Sequence, residues 1–203
     1  LLQPRSGLIM SEGMFSMDGD QAPCQQLADL AKQSDNWLML DDAHGIGVLG
    51  EQGRGTLSHQ CAAPDSVHIR MATFGKALGV AGAFVGGSRQ LTDYLVNFAR
   101  DYVYSTHMPP AQAHAISAAV AWVKQADAER AHLQALIRQF KVGIAELGLV
   151  AGESSTAIQP LIIGDADKAV SVANKLRERG LWVTAIRPPT VPKGTARLRI
   201  TLT

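Results

Sequence analysis

The chain has 203 residues, 46% of them hydrophobic, and its 19 basic and 18 acidic side chains leave a formal net charge of +1. That length buries a real core in one large domain or two modest ones, and the interspersed charges exclude the basic stripe of a nucleic-acid or membrane surface. Cys24 and Cys61 lack metal-ligand spacing and are too few to staple a secreted domain, and no apolar run is long enough for a bilayer; the expectation is a soluble, cytoplasmic protein with free thiols and no bound metal.

Gly7-Leu8-Ile9-Met10 predicts a short strand that runs into a polar, glycine-bearing loop, residues 11–20. Ser16 lies in that loop, where a hydroxyl can reach a ligand, although turn chemistry is the default role of a serine before Met-Asp-Gly. Pro23, Leu27, Leu30 and Ala31 then predict a helix, and Trp37-Leu38-Met39-Leu40 a second strand, a succession that implies parallel pairing. This apolar run ends in Asp41-Asp42-Ala43-His44, which delivers an acid and an imidazole to one sheet edge.

Gly45-Ile46-Gly47-Val48-Leu49-Gly50 matches the Gly-x-Gly-x-x-Gly dinucleotide fingerprint, but Glu51-Gln52-Gly53-Arg54-Gly55 continues with helix breakers. The fingerprint requires its last glycine to open a helix that receives pyrophosphate, so a nicotinamide enzyme is rejected and a flexible loop over the site is expected instead.

The extended run over residues 66–72 leads into Thr73-Phe74-Gly75-Lys76-Ala77-Leu78-Gly79, placing Lys76 at a third strand exit. Carboxyl ends of strands are where open α/β sheets bind ligands, and a desolvated lysine there is suited to Schiff-base chemistry. Residues 80–85 predict another strand. Ser88 is the expected N-cap of a helix carrying Leu91, Tyr94, Leu95 and Phe98, with Tyr94 and Phe98 in the core.

Tyr104-Ser105-Thr106-His107-Met108-Pro109-Pro110 reads as a domain exit, dividing the chain into residues 1–110, part of a large ligand-binding domain, and 111–203, a small α/β domain. Two helices follow, one with Ile116, Val120 and Val123 on a face, the other ending at Gly148. Strand 157–163, helix 168–179, strand 181–186 and strand 196–202 complete the pattern. In the last strand Arg197 and Arg199 alternate with Leu198 and Ile200, so both arginines share the polar face, solvated unless a site faces them.

An acid that keeps a pyridine nitrogen protonated, an imidazole for a phenolic oxygen and a lysine for an aldehyde carbon are the handles of pyridoxal phosphate. Asp41, His44 and Lys76 occur in this order, with Glu12-Gly13-Met14-Phe15-Ser16-Met17-Asp18-Gly19 before them and Arg187-Pro188-Pro189-Thr190 and Arg197-Leu198-Arg199 after them. Together these motifs resemble the α-oxoamine synthases, fold-type I pyridoxal-phosphate enzymes with a mostly parallel large domain and a smaller α/β C-terminal domain. The resemblance runs from Gly7 to Thr203.

It implies that Lys76 carries the cofactor as a Schiff base, that Asp41 pairs with the ring nitrogen and His44 bonds the ring hydroxyl oxygen, and that Ser16 and Thr73 contact the cofactor. Thr190 matches a substrate-binding position and Arg199 the arginine that grips the amino-acid carboxylate. Ser105 and Thr106 match a segment that reaches the cofactor phosphate of a neighbouring subunit, which implies a homodimer with shared sites; His107 departs from the small hydroxyl residue usual there.

The implied reaction is a decarboxylative condensation of L-alanine with a pimeloyl thioester, carried by coenzyme A or a carrier protein. The alternatives are a sister synthase that uses glycine or serine with another acyl thioester, and a non-catalytic fragment, because the family's ring-stacking histidine and phosphate segment precede the part matched here.

Overall fold

A computed structural model describes residues 7–203. The described residues form two compact units: residues 7–14 together with Gln21–Asp127, and Phe15–Asp20 together with Ala128–Thr203.

In the first unit, β1 (Leu8–Glu12), β2 (Trp37–Asp41), β3 (Ile69–Thr73) and β4 (Ala83–Gly87) form one sheet in chain order. β1, β2 and β3 are parallel, pairing Leu8 with Trp37 and Asp41 with Met71, so the carboxyl ends of β2 and β3 lie side by side. β4 is antiparallel to β3, pairing Thr73 with Ala83. The sheet is the mostly parallel one expected of the fold.

Helix α1 (Cys24–Gln33) covers the first crossover. Its buried residues Cys24, Ala28 and Ala31 fall at helical spacing, and their small size lets the helix lie close to Leu38 and Leu40. Leu57, from the short helix α2 (Thr56–His59), with Ala62 and Val67 closes this core.

The predicted strand over residues 80–85 is displaced towards the C-terminus. Phe74 N–H donates to Gly82 O at 2.8 Å and Val80 N–H to Phe74 O at 2.9 Å, so residues 74–82 form the turn of a hairpin and β4 begins after it. The lysine loop therefore joins antiparallel neighbours instead of opening a crossover helix.

Helix α3 (Arg89–Phe98) has the expected cap, Ser88 Oγ accepting from Leu91 N–H at 3.2 Å. Tyr94 and Phe98 differ from expectation: both are exposed, at 61% and 65%, and stack on each other with ring centroids 4.7 Å apart. Their helical spacing put them on one face, but among the described residues no second element covers it. Helices α4 (Arg100–Val103) and α5 (Pro110–Val123) follow.

In the second unit, α6 (Asp127–Glu146) precedes an antiparallel sheet of β5 (Ile158–Gly164), β7 (Ala196–Thr201) and β6 (Thr184–Ile186), with β7 central, and α7 (Ala166–Glu178) packs on it. Asp165 caps α7 by accepting from Lys168 N–H at 2.8 Å, so the helix starts earlier than the apolar pattern suggested. β6 is shorter than expected, with Leu181 and Trp182 exposed before it.

Among the described residues no helix is long and apolar enough to cross a membrane, and no three metal-ligating side chains cluster. Both cysteines are free thiols; burial pushes the Cys24 thiol up to about 11, which leaves it protonated and inert near neutral pH.

Candidate active site

Parallel pairing of β2 and β3 brings their exits together, and each ends in residues of the predicted site. Asp41 is the last residue of β2 and its Oδ1 accepts from Ala43 N–H at 2.9 Å, which bends the chain out of the strand. Gly45 and Ile46 N–H both donate to Asp42 O at 3.0 Å, completing the turn that presents His44.

Thr73 ends β3. Its hydroxyl donates to Gly82 O at 2.9 Å and accepts from Gly75 N–H at 3.1 Å, tying both sides of the lysine loop. The structure thus gives Thr73 a part in shaping the loop, and its hydroxyl keeps one lone pair beyond these bonds.

Lys76 Nζ then lies 2.8 Å from His44 Nε2. The imidazole is half-buried and the lysine exposed. Amine, imidazole and carboxylate converge on two adjacent strand ends, matching in type the aldehyde, phenolic oxygen and ring nitrogen of a substituted pyridine. A Schiff-base group fits these residues.

Sequence reasoning missed Asp42, whose side chain points the other way from Asp41 by strand alternation. It is only 3% exposed; Oδ2 accepts from Thr56 N–H at 2.9 Å and Oδ1 from the Thr56 hydroxyl at 2.6 Å. Burial raises this carboxyl above its ordinary value, against the lowering effect of the Thr56 hydrogen bonds.

A Cβ on Gly13, Gly45 or Gly55 would come within 2.9, 2.0 or 1.9 Å of an Asp42 carboxylate oxygen. These glycines are therefore packing contacts around a buried acid; of the fingerprint-like run only Gly45 is among them, while Gly47 and Gly50 sit at φ +83° and +74° in the turns that follow, so packing and turn geometry account for that run without a nucleotide. The expected flexible loop over the site is instead a folded turn: Gly47 N–H donates to Gly53 O at 2.7 Å, Gly55 N–H to Leu49 O at 2.8 Å, and Leu49 is buried. The missed signal was the pair of acids at one strand end, since alternation sends one of two neighbours inward.

Ser105 and Thr106 are exposed in the coil between α4 and α5, where the Ser105 hydroxyl donates to Asp101 O.

The second unit holds the other predicted residues. Arg199 Nε donates to Ser16 O at 2.6 Å and its Nη1 to the Thr201 hydroxyl at 3.4 Å, and burial lowers the guanidinium from its ordinary value, which leaves it charged. Arg197 is not solvated: it is 6% exposed and ion-paired with Asp18. The face of β7 that alternation made polar is covered by residues 15–20, which the pattern alone had no means to show. Thr190 is exposed after the Pro188–Pro189 pair and lines a cavity of about 580 Å³ with Arg177, Trp182 and Arg187.

Residues 2–203 match the family described as aminotransferase class I and II. The chain is 67% identical over 201 residues to the 8-amino-7-oxononanoate synthase of Aeromonas salmonicida, covering 99% of this chain and 50% of that protein. Among solved structures it is similar to the 8-amino-7-oxononanoate synthase of Francisella tularensis, with TM-score 0.83 and 31% identity over 100% of this chain and 58% of that one. It is similar also to a serine palmitoyltransferase from S. paucimobilis solved with a bound PLP–myriocin aldimine, with TM-score 0.91 and 27% identity over 99% of this chain and 51% of that one. The chain spans about half the length of the curated relatives it matches.

Proposed function

Because this chain belongs to the aminotransferase class I and II family, we propose that it carries the lysine-bearing part of a pyridoxal-phosphate acyltransferase that condenses L-alanine with a pimeloyl thioester to give 8-amino-7-oxononanoate, releasing carbon dioxide and the free thiol carrier, a step of biotin biosynthesis. The observation that carries this reading is the 2.8 Å contact between Lys76 Nζ and His44 Nε2 beside Asp41, at the carboxyl ends of adjacent parallel strands. Bound there, pyridoxal phosphate supplies the electron sink that an α-carbanion requires.

The chain's own residues supply the rest. Lys76 Nζ would hold the cofactor through its aldehyde and, as a free amine, would take the α-proton of the amino acid and return it. His44 Nε2, 2.8 Å from Lys76 Nζ, positions the amine and would hydrogen-bond the ring hydroxyl oxygen of the cofactor. The Asp41 carboxylate holds a positive ring nitrogen. Arg199 clamps the amino-acid carboxylate with the donors left over from Ser16 O, Thr190 contacts the substrate, and Ser16 and Thr73 contact the cofactor. Ser105 and Thr106 reach the cofactor phosphate of a second copy, making a homodimer of shared sites in the cytoplasm.

The identity of 67% to a synthase of this name supports L-alanine over the glycine or serine of a sister enzyme. The test is borohydride reduction of the chain with pyridoxal phosphate, followed by peptide mapping. A pyridoxyl mass on Lys76 is expected; a folded chain labelled elsewhere or not at all refutes the assignment. An absorbance change with L-alanine but not with glycine or serine is the expected substrate readout.

A further inference from the structure

Beside the residues assigned above, the second unit buries a charge that the proposed chemistry does not use. Arg197, on β7, is ion-paired with Asp18, and its Nε donates to Thr195 O at 3.1 Å. Two residues along the same face, Arg199 Nε donates to Ser16 O at 2.6 Å. Gly19 is fixed between them and β5: its carbonyl accepts from the Ser154 and Thr156 hydroxyls at 3.1 and 3.0 Å. Its φ of +71° and the 2.4 Å that would separate a Cβ from Ile158 O leave room for no side chain.

Residues 15–20 lie in the chain between β1 and α1, yet these contacts assign them to the second unit. Of the anchors, the ion pair is the one whose loss is costly, because it would strand a desolvated guanidinium.

We propose that Arg197 and Asp18 are a positioning pair that locks residues 15–20 onto β7, so that Ser16 and Arg199 move as one body and a carboxylate held by Arg199 is registered against the serine that meets the cofactor. The proposal rests on the reading of Ser16 and Arg199 given above. Neither member of the pair touches substrate or cofactor; both act through Ser16.

The experiment is amide hydrogen exchange on the 203-residue chain with pyridoxal phosphate present, comparing wild type with Asp18→Asn, Arg197→Lys and the reversed pair Asp18→Arg/Arg197→Asp. Asp18→Asn is expected to speed exchange in peptides covering residues 15–20 by roughly tenfold or more and to leave β2 and β3 unchanged. Pyridoxal-phosphate affinity should fall severalfold while borohydride still labels Lys76. Arg197→Lys, which keeps the charge on a shorter reach, should fall between wild type and Asp18→Asn, and the reversed pair should recover part of both losses.

Unchanged exchange over residues 15–20 in Asp18→Asn overturns the proposal. So does faster exchange with unchanged cofactor affinity, which would make the pair only a structural contact. If the wild-type chain takes no pyridoxyl on Lys76, the cofactor reading fails, and the exchange comparison by itself then upholds or overturns the lock.

Discussion

At the exits of β2 and β3 the ionisable groups assigned to chemistry, His44 and Lys76, are half-buried or exposed and meet each other across 2.8 Å. On β7 Arg197 shows the reverse arrangement, sealed to 6% exposure against Asp18, whereas Arg199, assigned to the substrate carboxylate, is only partly covered by the Ser16 carbonyl. A group that must exchange partners during a reaction is left at a strand end, where water solvates it between partners. A group that only holds backbone is buried, where losing its partner is costly. The first unit repeats the contrast within two residues, for Asp41 is half-buried at the exit whereas Asp42 is enclosed by Thr56 and three glycines.

The sharpest way to break this contrast is at Lys76. Lys76→Ala should remove the borohydride-trapped adduct and lower α-proton exchange of the amino acid by on the order of 10⁴-fold, with the thermal midpoint unchanged because the side chain is exposed. A large loss of stability would mean that Lys76 is part of the support and not of the chemistry.

Asp42→Ala should show the opposite pattern. It strands the buried Thr56 N–H and hydroxyl and opens a void, for about 3 kcal/mol of unfolding free energy by denaturant titration. Asp42→Asn keeps both contacts, its oxygen accepting from Thr56 N–H and its amide donating to the hydroxyl. Because the folded carboxyl titrates above its ordinary 3.8, the native state binds the proton more tightly than the unfolded chain. This group's contribution to stability is therefore full below 3.8 and is lost as pH rises through the folded value, and the slope should vanish in Asp42→Asn. An unchanged slope would place the titrating group elsewhere.

Asp41→Asn should cost about 2 kcal/mol of transition-state stabilisation, roughly thirtyfold in α-proton exchange, with little change in unfolding free energy. Equal losses in rate and stability would erase the distinction between the two neighbouring acids.

The smallest effect lies away from both regions. Ser88→Ala removes the cap of α3 and should cost about 1 kcal/mol in stability with no change in cofactor labelling.

Much of this protein was legible in its sequence, because local physics writes it there. Apolar runs ending in Asp41 and Thr73, helix caps at Ser88 and Gly148, and the buried positions Ile137 and Ile144 of α6 each depend on residues a few positions apart, whereas Leu30, expected on the buried face of α1, is exposed. The order of Asp41, His44 and Lys76 at successive strand exits belongs to the same class of signal. What only the tertiary structure decided involves residues far apart in the chain. The antiparallel turn of β4 carries the lysine loop back through hydrogen bonds from Phe74 and Val80. The glycines at 13, 45 and 55 are explained by one carboxylate, and the polar face of β7 is covered by a segment that precedes it by nearly the whole chain. A pattern of polarity tells which face of a strand is wet or dry on average; whether water or a distant loop supplies the partners is settled only when the chain closes, since a buried charge is stable in either case provided something pairs with it.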